Sequence, residues 1–139
     1  LGLGELIQLT FDKIMQTHAY TLVILSTPEK KFAIYLDPSM GKTMQLYLTE
    51  GTRPRPLTHE LLNCILKGFQ IEVKQVVIVD LQDTTFFARL FLEQPMSKEM
   101  THIVEVDARP SDCLTLALLA DVPVYCTREV LNTVIPLEE

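Results

Sequence analysis

The chain has 139 residues, 47% of them hydrophobic and 22% charged, a balance that suits one folded core and excludes a disordered chain. Its formal charge of −6 excludes a broad electrostatic grip on nucleic acid and confines any phosphate contact to a local patch. No apolar run reaches the ~18–20 residues of a membrane span, so no membrane partner is expected.

Taken in chain order, residues 5–14 alternate, with Ile7, Leu9 and Phe11 on one face, which is strand periodicity. A second strand is expected over 19–26 and a third over 31–36, giving a meander. Asp37-Pro38 then opens a helix, with Asp37 as its cap and Pro38 at the first helical position. This helix is expected to end near Glu50-Gly51. The loop 51–57 carries two prolines. Thr58 is the expected cap of the next helix, whose apolar face is Leu61, Leu62, Ile65 and Leu66. Strands follow over 71–80, 85–93 and 101–107. Phe86 and Phe87, adjacent in a strand, point to opposite faces, so at least one belongs to the core. Ala108-Arg109-Pro110 leads into a helix reaching about Ala120. A short strand over 122–126 and a last helix capped by Thr127 complete the chain.

The order βββα thus occurs twice, with an extra helix between. The reading is an α+β fold of duplicated βββα units with a short C-terminal strand and helix. One core, over about residues 5–134 of a single domain 1–139, buries the oily faces of both sheets together. The start lacks a basic region ahead of an apolar run, so no signal peptide is expected. Cys64, Cys113 and Cys126 stand in apolar contexts without a CxxC pair. They read as reduced, buried thiols of a cytoplasmic protein.

Three stretches carry a resemblance. They are Arg55-Pro56-Leu57-Thr58-His59-Glu60-Leu61-Leu62, then residues 76–83 (VVIVDLQD) with 86–90 (FFARL), then Val104 to Asp112 with its DARPSD string. Together they resemble the bifunctional nuclease family, the BFN domain. The resemblance implies hydrolysis of phosphodiester bonds in RNA or DNA. The family tends to have Gly where Asp37 stands and Glu where Met40 stands, so the first helix lacks that potential acid or metal ligand.

The motif residues suggest where such chemistry would lie. Two Arg-Pro turns precede helices, and a helix start offers free N–H groups to an anion. If the starts lie side by side, Arg53, Arg55, Thr58, His59, Arg109 and Ser111 would bind a phosphate, the arginines supplying forked donors. The same residues also read structurally. Thr58 and Ser111 would then satisfy backbone donors, and Arg109 would pair with Asp112 or Asp107. Asp80, Asp83, Glu105, Asp107 and Asp112 supply acids, with Asp107 and Asp112 as catalytic candidates. Metal-assisted hydrolysis would use a divalent ion such as Mg²⁺, with Asp80 and Asp107 as its ligands. Without metal, His59 would be the general base. His102 lies on a strand outside the motifs and reads as structural. The alternative function is a non-enzymatic module that binds an anionic ligand or a protein partner, including a second copy of itself, through exposed strand edges.

Overall fold

The computed structural model describes residues 2–49 and 53–138. Alternating apolar residues form β1 (Leu6–Gln16) and β3 (Lys31–Leu36), and a continuous apolar run forms β2 (Thr21–Ser26) between them. Leu9, Val23, Leu25, Phe32 and Ile34 point inward and are buried. Both turns of this meander use the same device. Thr17 Oγ1 accepts from the backbone N–H groups of Ala19 and Tyr20, and Thr27 Oγ1 accepts from Glu29 and Lys30. A threonine hydroxyl can replace a backbone partner in this way.

Helix α1 (Pro38–Leu48) starts as expected, with Asp37 at the cap position, but the Asp37 side chain makes no capping bond. The end expected at Glu50-Gly51 lies outside the described residues. Helix α2 (Thr58–Gly68) differs more from expectation. Leu57 is its cap residue and Thr58 the first helical one. Leucine has no side-chain acceptor, so the capping comes from inside the helix: Glu60 Oε1 accepts from the Leu57 N–H at 3.0 Å. The second meander follows as β4 (Glu72–Gln82), β5 (Thr85–Pro95) and β6 (Thr101–Ala108). Helix α3 (Pro110–Ala120) ends at Asp121, which takes the left-handed conformation at φ 55°. Strand β7 (Val124–Thr127) and helix α4 (Arg128–Thr133) close the described chain, and Thr127 caps α4 by accepting from the Val130 N–H.

Among the described residues seven strands form one sheet in the order β3-β2-β1-β7-β4-β5-β6. Every neighbouring pair is antiparallel except β7 with β4. The fold is α+β, and β7 stitches the two meanders together. Strand β1 serves both sides of the join. Leu6–Leu9 pair with β7 and Thr10–Gln16 with β2, with an irregularity between Phe11 and Lys13. Four strands lie between β3, which carries Phe32, and β5, which carries Phe86, yet the two rings stack with centroids 6.0 Å apart. The sheet therefore curls until its two ends approach.

Helix α3 is apolar nearly all round, and Cys113, Leu114, Leu116 and Ala117 are buried against the sheet. Helix α2 packs on α3 rather than on the sheet. Its expected core face is consequently open: Leu61 and Ile65 are 50% and 49% exposed, and only Leu66 packs against the core. Cys64, on the same helix, is exposed, which corrects its reading as a buried thiol; Cys113 and Cys126 are buried. No helix among the described residues is long and apolar enough to cross a membrane.

Candidate active site

The curl of the sheet leaves a cleft of about 810 Å³ between its ends. Three segments line it. Residues 34–37 come from the end of β3, residues 84–87 from the β4–β5 turn and the start of β5, and residues 107–111 from the corner joining β6 to α3. Asp37 stands at the cap position of α1 and Arg109 at that of α3, so two helix starts converge on the cleft. Each brings the positive end of a helix dipole and N–H groups without helical partners.

Asp107 is exposed in this cleft. It faces Arg89 across the β5–β6 ladder, but Arg89 Nη1 donates to Glu105 Oε1 at 2.7 Å instead. The Asp107 carboxylate makes no hydrogen bond or ion pair among the described residues. Arg109 is tethered yet open. Its Nε donates to Asp112 Oδ2 at 2.9 Å and its Nη2 to Asp112 Oδ1 at 3.3 Å, while 74% of its side chain stays exposed. His59 Nε2 lies 3.0 Å from Asp112 Oδ1, so one carboxylate ties the start of α2 to the start of α3. Burial opposes ionisation of Asp112, but the bonds from Arg109 and His59 outweigh it and hold its carboxyl below the usual range. An ionised carboxylate only accepts, so His59 Nε2 carries the hydrogen and donates.

The sequence pattern of the bifunctional nuclease domain matches residues 23–136, a span that holds every one of these side chains. The chain belongs to the bifunctional nuclease domain family. It is similar to uncharacterized proteins from two strains of Mycobacterium tuberculosis, each 40% identical over 103 residues. The match takes in 74% of this chain and 58% of each relative, so the chain spans rather more than half the length of the curated relatives it matches.

Within this bifunctional nuclease domain the expected site residues separate into groups. Asp107, Arg109 and Ser111 line the cleft, with Asp112 and His59 bracing Arg109 from behind. Ser111 is buried. Arg53 is held elsewhere: its Nε and Nη2 donate to the two oxygens of Glu60, each at 2.7 Å, and its guanidinium lies 5.1 Å from the centre of the Tyr47 ring. Arg55 and Thr58 are exposed and line no part of the cleft. The helix starts that meet there are those of α1 and α3, rather than α2 and α3.

The residues expected to hold a metal do not fit one ion. Asp80 and Asp107 share an end and a face of the sheet, but β5 runs between their strands and holds the strands about 10 Å apart. Two oxygens on one Mg²⁺ come within about 4 Å of each other. Asp80 also spends both oxygens locally, on the Leu81 N–H and on Gln82 Nε2. No group of three or more His, Cys, Asp or Glu side chains among the described residues is placed to hold a metal.

Asp37, Tyr35 and Phe87 also line the cleft and were not singled out as site residues from the sequence. A signal for Asp37 existed. Asp37-Pro38 and Arg109-Pro110 occupy the same place at the end of each meander, and both open helices at the cleft.

Proposed function

We propose that this chain hydrolyses phosphodiester bonds in RNA or DNA at the cleft. The observation that carries the reading is the pairing of an unengaged carboxylate, Asp107, with an exposed arginine at convergent helix starts. Membership of the bifunctional nuclease domain family supports it. The Arg109 guanidinium and the free N–H groups at the start of α3 grip the non-bridging phosphate oxygens. Asp107 takes the proton of a water as that water's oxygen bonds to phosphorus and the bond to the leaving oxygen breaks. Asp112 and His59 are positioning residues, since they fix the arginine without lining the cleft.

The test is cleavage of end-labelled RNA and DNA by purified protein, with and without Mg²⁺. Asp107→Asn should slow cleavage about 100-fold or more, the usual worth of a positioned base. Arg109→Lys, which keeps the charge and loses the fork, should slow it about tenfold. Both side chains are exposed, so the melting temperature should hardly move. An Asp107→Asn protein that cuts at the normal rate would sink the proposal.

A second reading is favoured by one observation, the open apolar face of α2 with Leu61 and Ile65. On that reading the chain is a non-enzymatic module that binds an anion or a protein partner, including another copy of itself. It calls for no turnover by the wild type and a concentration-dependent molecular mass that Ile65→Lys abolishes.

A further inference from the structure

A second hollow of about 290 Å³ adjoins the cleft. Its wall is apolar, with Phe32, Leu81, Phe86, Ile135 and Leu137 around it. Tyr35, Thr84 and Phe86 line both spaces, so the hollow and the cleft share a wall. The aromatic groups of that wall are firmly placed. Phe86 stacks on Phe32 with 23° between the planes, and Tyr35 meets Tyr20 edge-on at 5.0 Å. Tyr35 is nevertheless 63% exposed, so much of its ring is free for contact. On the far side Ile135 is 86% exposed, in a segment tied to β3 by the bond from Leu137 N–H to Lys31 O.

Polar groups also meet there. The Lys31 C=O points off the outer edge of β3, because it accepts from Leu137. By strand alternation Ala33 and Tyr35 present their N–H and C=O along the same edge. Among the described residues no strand lies beyond β3 on that side. Asp83 and Thr84 stand at the opposite rim. Flat aromatic walls beside a row of backbone donors and acceptors match a planar heterocycle that carries both at its edge.

We propose that this hollow receives one nucleobase of a single-stranded nucleic acid whose neighbouring phosphate lies in the cleft at Arg109. The inference rests on the hydrolytic reading of the cleft and names its substrate class. A paired base is stacked inside its duplex and cannot enter, so the site selects single strands. Stacking on Tyr35 and Phe86 tolerates any base, because every base has a π-face.

The experiment is fluorescence anisotropy of the whole chain with a labelled thymidine decamer and with an abasic decamer of equal length. The base-bearing strand should bind at least tenfold more tightly. Tyr35→Ala and Ile135→Ser, both at exposed positions, should each weaken its binding at least fivefold, and Ile135→Ser, which lines the hollow but not the cleft, should leave the abasic strand unaffected. Equal binding of the two wild-type strands, or a Tyr35→Ala protein that binds thymidine normally, overturns the base pocket and leaves the phosphate reading standing. Base-dependent binding lost in Tyr35→Ala, with cleavage untouched by Asp107→Asn, sustains the pocket and removes the hydrolytic role of the cleft. Failure of both strands to bind removes both.

Discussion

Asp112 receives hydrogen bonds from two side chains that arrive on different helices, and Glu60 plays the same part for Arg53 and the backbone of Leu57. The fork from Arg53 and the Leu57 N–H hold the Glu60 carboxyl down to about 2, from an ordinary value of 4.5. A depressed folded value means that the contribution to stability is fully present above the ordinary value and is lost as the pH falls toward 2. Glu60→Gln should therefore lower the melting temperature by about 3 °C at pH 7, and the gap should close between pH 4.5 and 2. Equal gaps at pH 7 and pH 2.5 would contradict this account. The thiols make a second case. Burial pushes Cys113 up to about 12 and Cys126 up to about 11, while Cys64 is exposed. A thiol reagent at pH 8 should titrate one group in the folded protein, and Cys64→Ser should leave none until denaturant is added.

Helix α1 shows tertiary packing overriding intrinsic propensity. Replacing a mid-helix glycine by alanine ordinarily stabilises by about 0.5–1 kcal/mol. A methyl on Gly41 would instead run into Thr21 Oγ1 and Gln16 Oε1. Thr21 is fully buried and donates to the Asp37 C=O at 3.2 Å, so it has little room to yield. Gly41→Ala should destabilise by about 2 kcal/mol, read as a lower urea midpoint with an unchanged slope. The elements were legible where one pattern decided them. Alternation gave β1 and β3, a run rich in β-branched and aromatic residues gave β2, and the proline starts gave α1 and α3. Helix α2 was legible as a helix but not in its packing, because Leu61, Leu62 and Ile65 look the same whether a sheet covers them or nothing does. The Thr58 cap misled because the helix begins one residue earlier: the Leu61 N–H, which a Thr58 cap could have accepted, donates to the Leu57 C=O at 2.8 Å.

At the scale of the whole molecule, β7 joins two meanders that share no other strand pairing among the described residues. Val124 and Cys126 are buried at that join. Val124→Ala should cost about 2 kcal/mol. Far-ultraviolet dichroism and tyrosine fluorescence should still report one coincident transition, since both halves contribute to one core. Two separated transitions would mean that the halves unfold independently. The candidate site was only half legible for a topological reason. Asp107, Arg109, Asp112 and His59 lie in recognisable strings. The opposite wall, Tyr35 and Asp37, reaches them only because the sheet curls, and no local pattern encodes that closure.

The parallel pairing of β7 with β4 has a consequence during biosynthesis. Strand β4 finds its inner neighbour only when residues 124–127 have left the ribosome, nearly at the end of the described chain. Until then the nascent polypeptide holds two three-stranded ribbons, each with a bare flank at β1 or β4. Translation stalled before Val124 should thus yield a product prone to stick to its neighbours, and one that depends on chaperones far more than the finished protein does.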